Sequence, residues 1–281
     1  MKVFKKILKW FGVAILLLLV VAGSLYMIYL RPFIEKMKQI NTIQYDTELT
    51  IVEGGGGNSG ILTSDSLVLV IDTKMDEAAE VLYNQVKEIA GNKPIFVVNT
   101  HIHPDHTKGN KFYKGQTILA GGNYTPEMWI KDAGAETLPT RWLKDSMTIK
   151  MGNETVTLLN LAKDVHTESD VFVYLHKRKM LFTGDVVLNK QAPVLMGKAN
   201  PEGYLTVFNE IPNKFNVQTI VPGHGKVGGL EVLESFKQFF NDMKLAATDK
   251  SQKDALVKKY SDWNQIPIFM SPAATISHFQ K

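Results

Sequence analysis

His101-Ile102-His103-Pro104-Asp105-His106 gathers three of the chain's seven histidines into six residues, with an aspartate between the second and third. A structural histidine is usually solitary and satisfied by one or two hydrogen bonds. Three imidazoles and a carboxylate in one window are instead a donor set that zinc accepts. The run in front, Pro94-Ile95-Phe96-Val97-Val98-Asn99, is apolar and β-branched and reads as a buried strand, so the window sits in the loop at its end. In an extended segment His101, His103 and Asp105 share one face. Pro104 forbids a helix through the middle, and a turn at Asp105 swings His106 back toward the same centre. The i, i+4 histidine pair of the helical zinc proteases is absent. The window predicts a metal site.

Downstream, two more histidines occupy positions of the same kind. His166 lies in the polar loop Asp164-Val165-His166-Thr167-Glu168-Ser169-Asp170, and His224 lies in Val221-Pro222-Gly223-His224-Gly225 after a short strand. Asp185 ends Leu181-Phe182-Thr183-Gly184-Asp185, an apolar strand followed by glycine and a carboxylate. His176, beside Lys177 and Arg178, reads as a solvated turn residue, and His278 as tail. Upstream, Gly54-Gly55-Gly56-Gly57-Asn58-Ser59-Gly60 separates two strand patterns. Such a run permits a tight hairpin, a mobile flap or close approach of backbone to a ligand. We read Gly54 to Ser59 as a candidate flap over the site and Asn58 as a candidate substrate contact. No Gly-Lys-Ser/Thr closes the run, so it is not a phosphate loop.

Strand patterns cover Tyr45 to Val52, Gly60 to Thr63, Leu67 to Ile71, Ile95 to Asn99, Thr117 to Ala120, Val171 to Leu175, Met180 to Phe182 and Thr219 to Val221. Met147 to Met151 and Thr155 to Leu161 form a hairpin across Gly152-Asn153. Helical patterns cover residues 75 to 90, Pro126 to Asp132, Tyr204 to Phe215 and Leu230 to Leu245. Two successions of strands then helix predict a layered α/β domain with helices outside.

The 281 residues, 44% hydrophobic, suit one large domain with an accessory segment. The lack of cysteine excludes disulfides, iron–sulfur clusters, thiolate ligands and a cysteine nucleophile. Of the net charge, Lys2, Lys5, Lys6, Lys9, Arg31, Lys36 and Lys38 against Glu35 supply +6; subtracting this from the total of +4 leaves the remainder at −2. The rest of the chain therefore offers no charge argument for nucleic acid, and none is expected as a partner. Residues 1–10 are a basic start. Phe11 to Leu30 carry no charge and match the thickness of a hydrocarbon core, with Trp10, Tyr26 and Tyr29 as interfacial aromatics. We read residues 11–30 as a transmembrane helix or signal anchor in the lipid bilayer; secretion after cleavage near Ala22-Gly23-Ser24 is the alternative. The lysines before the span place the N-terminus inside and the domain outside the cytoplasm. Residues 31–43 follow as a connector, 44–245 as the catalytic domain, and 246–281 as a helical or irregular C-terminal extension.

From residue 44 to about 240 the chain resembles the metallo-β-lactamase superfamily. The resemblance rests on the H-x-H-x-D-H window at 101–106, the His166 loop, Gly184-Asp185 and the Pro-Gly-His-Gly at 222–225, all in the family's order. It implies a four-layer αβ/βα sandwich with metals at one edge between the sheets. Two Zn(2+) per chain are then expected, one on His101, His103 and His166, the other on Asp105, His106 and His224. Asp185 would bridge them together with a water or hydroxide, and Asp105 would orient that nucleophile as the catalytic carboxylate. Asp72, ending the third strand, and Asp170 would support the ligands by hydrogen bonds.

In the best-known zinc β-lactamases of that family a cysteine stands at the place of Asp185 and a lysine three residues later; here that residue is Leu188, and Lys190 is two further on. An aspartate there resembles glyoxalase II, lactonases and other broad hydrolases. The expected activity is cleavage of an ester, lactone, thioester or amide bond in a small-molecule substrate. A mononuclear iron persulfide dioxygenase keeps a similar window and is the oxidoreductase alternative; a metal-free binding module on the same fold is the third.

Overall fold

From Phe11 to Leu30 the sequence has no charge and no polar stripe, so a helix there has no side suited to water. A computed structural model of the chain describes residues 2–161, 163–266 and 268–280. It forms helix α1 (Lys2–Leu25), a π-helical turn (Tyr26–Leu30) and helix α2 (Arg31–Lys38) in this region. Lys9–Leu30, 22 residues of mean hydropathy 2.6, is long and apolar enough to cross a membrane, about 33 Å at 1.5 Å per residue. The basic side chains read at Lys2, Lys5 and Lys36 lie outside the described ones. Within residues 31–43, read as a connector, α2 runs to Lys38 and a strand, β1 (Ile40–Gln44), follows at once. Its alternation is too short and too exposed to stand out in the sequence, and pairing with the next strand makes it. Met1–Gln39 form one unit and Ile40–Lys281 a second.

The second unit is built on two sheets. The first contains β1, β2 (Leu49–Gly54), β3 (Ser59–Thr63), β4 (Val68–Ile71), β5 (Ile95–Val98), β6 (Thr117–Gly121) and β7 (Arg141–Leu143) in chain order, antiparallel to β4 and parallel thereafter. The second runs β12 (Thr219–Val221), β11 (Met180–Phe182), β10 (Val171–Leu175), β9 (Glu154–Asn160) and β8 (Ser146–Met151), with only β11 and β12 parallel. Tyr45 to Glu48, expected in a strand, form a bend instead, because the Asp46 carboxylate accepts the Glu48 and Leu49 N–H groups.

Alternate residues of the two sheets meet in one core: Ile51, Leu69, Ile71 and Val98 against Leu158, Val173, Phe182 and Val221. The other face of the first sheet, with Val52, Val68, Val70 and Val97, packs on Leu82, Val86 and Ala90 of helix α3 (Asp76–Ala90). β4 is thus covered on both faces, which is why its four residues are all apolar. A one-turn helix α4 (Pro104–Thr107) and helix α5 (Pro126–Ala133) decorate the parallel half. Beyond the second sheet, helices α6 (Pro201–Lys214), α7 (Leu230–Thr248), α8 (Lys253–Lys259) and α9 (Pro272–Phe279) supply the fourth layer. Phe208, Phe236, Phe239, Phe240, Tyr260 and Trp263 pack together there. The layers run helix, sheet, sheet, helix, the αβ/βα sandwich that the resemblance implies. The carboxyl ends of β4, β5, β11 and β12 and the amino end of β10 come to one edge, and every predicted metal-site residue lies there, in a loop or a one-turn helix next to a strand end.

Candidate metal centre

Pro104 sets the geometry of the histidine window. Its fixed φ suits the first position of a helix, and α4 starts on it with His103 as an extended cap residue (φ −60°, ψ 149°). His101 and His103 therefore sit on extended chain, whereas Asp105 and His106 sit on a helical turn. The expectation that Asp105 shares a face with His101 and His103 fails for this reason, and the window splits between two clusters.

In the first cluster His101 Nε2 lies 3.1 Å and His166 Nε2 2.9 Å from His103 Nδ1. Asp185 Oδ2 stands 3.5 Å from His166 Nε2 and 4.0 Å from His101 Nε2. In the second, His224 Nε2 lies 3.0 Å and His106 Nε2 3.6 Å from Asp105 Oδ2. The other oxygen of Asp185 reaches this group, with Oδ1 3.2 Å from His106 Nε2 and 3.4 Å from His224 Nε2. All seven residues thus converge, and Asp185 faces both groups with one oxygen each.

Two observations test whether cations fit. His106 Nε2 and Asp185 Oδ1 are buried and make no hydrogen bond, although they are 3.2 Å apart, because they are not aligned as donor and acceptor. Orphaned buried polar atoms are costly, and a cation on their lone pairs satisfies both. His103 Nδ1, moreover, faces two ring nitrogens at once, and one proton can serve only one of them. The donors are nitrogen and carboxylate oxygen, the set that suits zinc.

The electrostatics divide along the same line. Burial pushes the His101 and His103 imidazoles below their ordinary range and His166 down to about 3, with neighbouring imidazoles adding to the effect. Burial acts on His106 and His224 too, but facing carboxylates overcome it and raise His106 well above the usual value and His224 to about 9. Burial alone would raise the carboxyls of Asp105 and Asp185; the imidazoles around them hold both below the usual carboxylate range instead. Nitrogens that ligate a cation must shed their protons, so a cation bound here would displace protons from the second cluster.

The support lies one layer back. Asp72 accepts from the Thr100 N–H and hydroxyl, each at 2.7 Å, and from His106 Nδ1 at 2.7 Å, which fixes the His106 ring with Nε2 turned to the centre and keeps Nε2 as the nitrogen that a cation would deprotonate. Asp170 accepts from the His166 and Thr167 N–H groups and the Thr167 hydroxyl, fixing the backbone of the loop and not the imidazole. Burial pushes its carboxyl up to about 7. Three residues escape the sequence reading. Thr100 Oγ1 lies 3.1 Å from His101 Nδ1, Tyr204 Oη lies 2.8 Å from His166 Nδ1, and Lys74 clamps the glycine run. An apolar window signals none of them, since each acts through contacts made in the folded chain.

The Lys74 ammonium is fully buried and donates to the carbonyls of Val52, Gly54 and Gly57, one per N–H. Burial lowers its pKa to about 7, opposed by the charges of Asp72, Asp105 and Glu53. Lys74→Met keeps the stem but strands the carbonyls. We expect it to cost about 1–3 kcal/mol net, the scale of an unmade buried hydrogen bond. Urea unfolding of the two proteins measures this, and an unchanged midpoint would show the clamp to be idle.

That clamp corrects the expected flap. Gly55 to Ser59 are buried, the Gly57 N–H donates to the Asp105 carbonyl at 3.2 Å, and the Asn58 N–H donates to the Gly223 carbonyl at 2.7 Å. Asn58 is not placed as a substrate contact either. Its amide oxygen accepts from Gly54 N, and its NH2 donates to the carbonyls of Pro222 and Gly225, so both ends are consumed in joining the glycine run to the His224 loop. Of the three readings the glycines permit, two are realised together: the run is the connection of the antiparallel β2–β3 hairpin, with Val52 opposite Ser59, and its backbone closely approaches the metal-site loops.

Comparison with known proteins places these residues in context. The family model described as "Metallo-beta-lactamase superfamily" matches residues 52–224. The chain is 24% identical to "Metallo-beta-lactamase type 2" of Bacteroides fragilis over 69% of this chain and 80% of that protein. It is 23% identical to "Acyl-coenzyme A thioesterase MBLAC2" of Homo sapiens over 64% of this chain and 77% of that one. Among solved structures, a metallo-beta-lactamase from Pontibacter korlensis superposes with a TM-score of 0.63 at 20% identity, over 72% of this chain and 99% of that one.

Proposed function

The chain belongs to the metallo-beta-lactamase superfamily and is a hydrolase of that fold, and from this premise we propose that it is a membrane-anchored enzyme using two zinc ions to cleave an ester, lactone, thioester or amide bond. The observation that supports the reading is the convergence of His101, His103 and His166 on one oxygen of Asp185 and of Asp105, His106 and His224 about the other, with two buried atoms left orphaned between them.

When bound, the cations would supply Lewis acidity and bring the pKa of water from 15.7 toward about 7. The chain's own residues do the rest. His101, His103 and His166 would hold one ion, Asp105, His106 and His224 the other, and Asp185 both. His101, His106 and His166 are buried, whereas His103, Asp105 and His224 are partly open, so the accessible side of the centre is theirs. Asp105 turns Oδ2 to His224 Nε2 there and would be the carboxylate that orients an incoming water. Asp72 and Asp170 would hold the His106 ring and the His166 backbone in register.

Relatives named both as a β-lactamase and as acyl-CoA thioesterases make thioesters and β-lactams the first substrates to try. The lysine excess before the Lys9–Leu30 helix supports a domain outside the cytoplasm. The test uses the full chain in detergent, with metal analysis and a screen of acyl-CoA and glutathione thioesters, β-lactams, homoserine lactones and phosphodiesters. Two zinc ions per chain and hydrolysis that chelator abolishes are expected. One iron with persulfide oxidation, or no metal at all, would overturn the proposal.

A further inference from the structure

We infer that Tyr204 is a positioning residue that selects the ligating tautomer of His166 and ties it to Asp185, an inference that rests on the metal-centre reading above. The local sequence explains how a tyrosine from the helical layer gets there. Asn200-Pro201-Glu202-Gly203-Tyr204 starts α6: the Asn200 side chain caps it by accepting the Glu202 N–H, and the Asn200 N–H donates to the Val165 carbonyl at 2.8 Å. Gly203 packs so close to the Asp164 carbonyl that no Cβ fits between them. The first turn of α6 is thereby pressed against the loop that carries His166. The Tyr204 ring is fully buried and stacks on Phe240, with centroids 4.5 Å apart and planes 22° apart, so the hydroxyl has a fixed aim.

That hydroxyl has two neighbours, His166 Nδ1 at 2.8 Å and the main-chain oxygen of Asp185 at 3.4 Å. His166 turns Nε2 to the first cluster, and a ligating nitrogen carries no hydrogen, so the proton of the neutral ring belongs on Nδ1. Nδ1–H then donates to Tyr204 Oη, and the hydroxyl proton is sent on to the Asp185 carbonyl. The second contact is what makes the first selective. Without an acceptor elsewhere, the hydroxyl would donate to Nδ1 and leave the hydrogen on Nε2, where it blocks the centre. One side chain therefore orders a ligand of the first cluster and the backbone of the aspartate that faces both. Phe240, on which Tyr204 stacks, meets Phe279 of α9, so the region after residue 224, outside the family match, braces the centre through this ring.

The test is Tyr204→Phe in the full chain, which keeps the stacking and deletes both hydrogen bonds. Affinity for one of two zinc ions should fall about 10–100-fold while the other is retained. Nitrogen NMR of the chelated protein should show His166 protonated on Nδ1 in the wild type and shifted toward Nε2–H in the variant. Trp263→Leu disturbs the same aromatic layer through Phe236, Phe239 and Tyr260 without touching the Tyr204 ring, so it should lower the melting temperature but leave the tautomer as it is. Equal zinc affinities and an unchanged tautomer in Tyr204→Phe would overturn the inference. Should that variant not fold, Nε2–H in the metal-free wild type would overturn it alone, and Nδ1–H would support it. A wild type that binds no zinc refutes the metal-centre reading instead, and the tautomer still reports on Tyr204.

Discussion

Asp185→Ala is expected to cut turnover by about a hundredfold or more and to weaken binding of both ions, the largest functional loss we foresee for a single residue. The reason is its unique placement. Each other ligand candidate touches one cluster, whereas Asp185 Oδ2 faces His101 and His166 and Oδ1 faces His106 and His224. Deleting it leaves imidazoles turned toward one another with no anionic group between the clusters, so two divalent charges would stand close together without a shared carboxylate. The fold should survive. Asp185 lies at the sheet edge, after β11 and not within it, and its neighbours Val186 and Val187 keep their buried places. Zinc stoichiometry by mass spectrometry, with steady-state kinetics and circular dichroism on the same preparation, separates loss of metal from loss of fold. Two ions bound at the wild-type rate of turnover would remove Asp185 from its role.

Much of this site is legible in the sequence because its chemistry is carried by residue types that have few other reasons to cluster. His101, His103, His166, Asp185 and His224 each follow or precede an apolar strand run, and a strand end is where a sheet delivers a side chain to its edge. What the sequence conceals are contacts made across the fold. Lys74 reads as a surface lysine beside Met75 and Asp76, and only the packing of β2 and the glycine run around it makes it internal. Tyr204 reads as a helix residue, since nothing local says that the start of α6 abuts the His166 loop. β1 hides in an apparent connector because an edge strand acquires its pattern from its partner. Asn58 misleads for the opposite reason: a polar residue in a glycine run resembles a loop tip, but its amide is spent on three backbone groups of buried chain.

Gly57→Ala should have the largest structural effect, and it decides between the flap expected from sequence and the cradle found. Gly57 has an ordinary φ, so alanine adds no backbone strain there and the question is purely one of space. A Cβ at Gly57 would stand 2.7 Å from His106 Nδ1 and nearer still to Cε1 and Nε2. The ring has nowhere to retreat: Nδ1 is held by Asp72, and the His106 carbonyl accepts from Thr73 N at 2.8 Å and from Asn99 Nδ2 at 3.1 Å. The glycine run cannot retreat either, pinned by Lys74 beneath it and by Asp105 and Gly223 beside it. Forced overpacking of this kind costs about 1–3 kcal/mol or more. Displacing His106 should also weaken the ion at Asp105, His106 and His224 by about 10–100-fold, the scale for a disturbed ligand. Gly91→Ala is the control. Its Cβ meets nothing within 4 Å, and its backbone (φ 56°, ψ −115°) is of a glycine type that strains alanine by about 1–3 kcal/mol, away from the metal-site residues, so it should lower stability and leave zinc affinity unchanged. Thermal melts with and without chelator, beside zinc titrations, distinguish the two. If Gly57→Ala bound both ions as tightly as the wild type, the run would have moved aside as a unit, and the flap would be the correct account of those glycines after all.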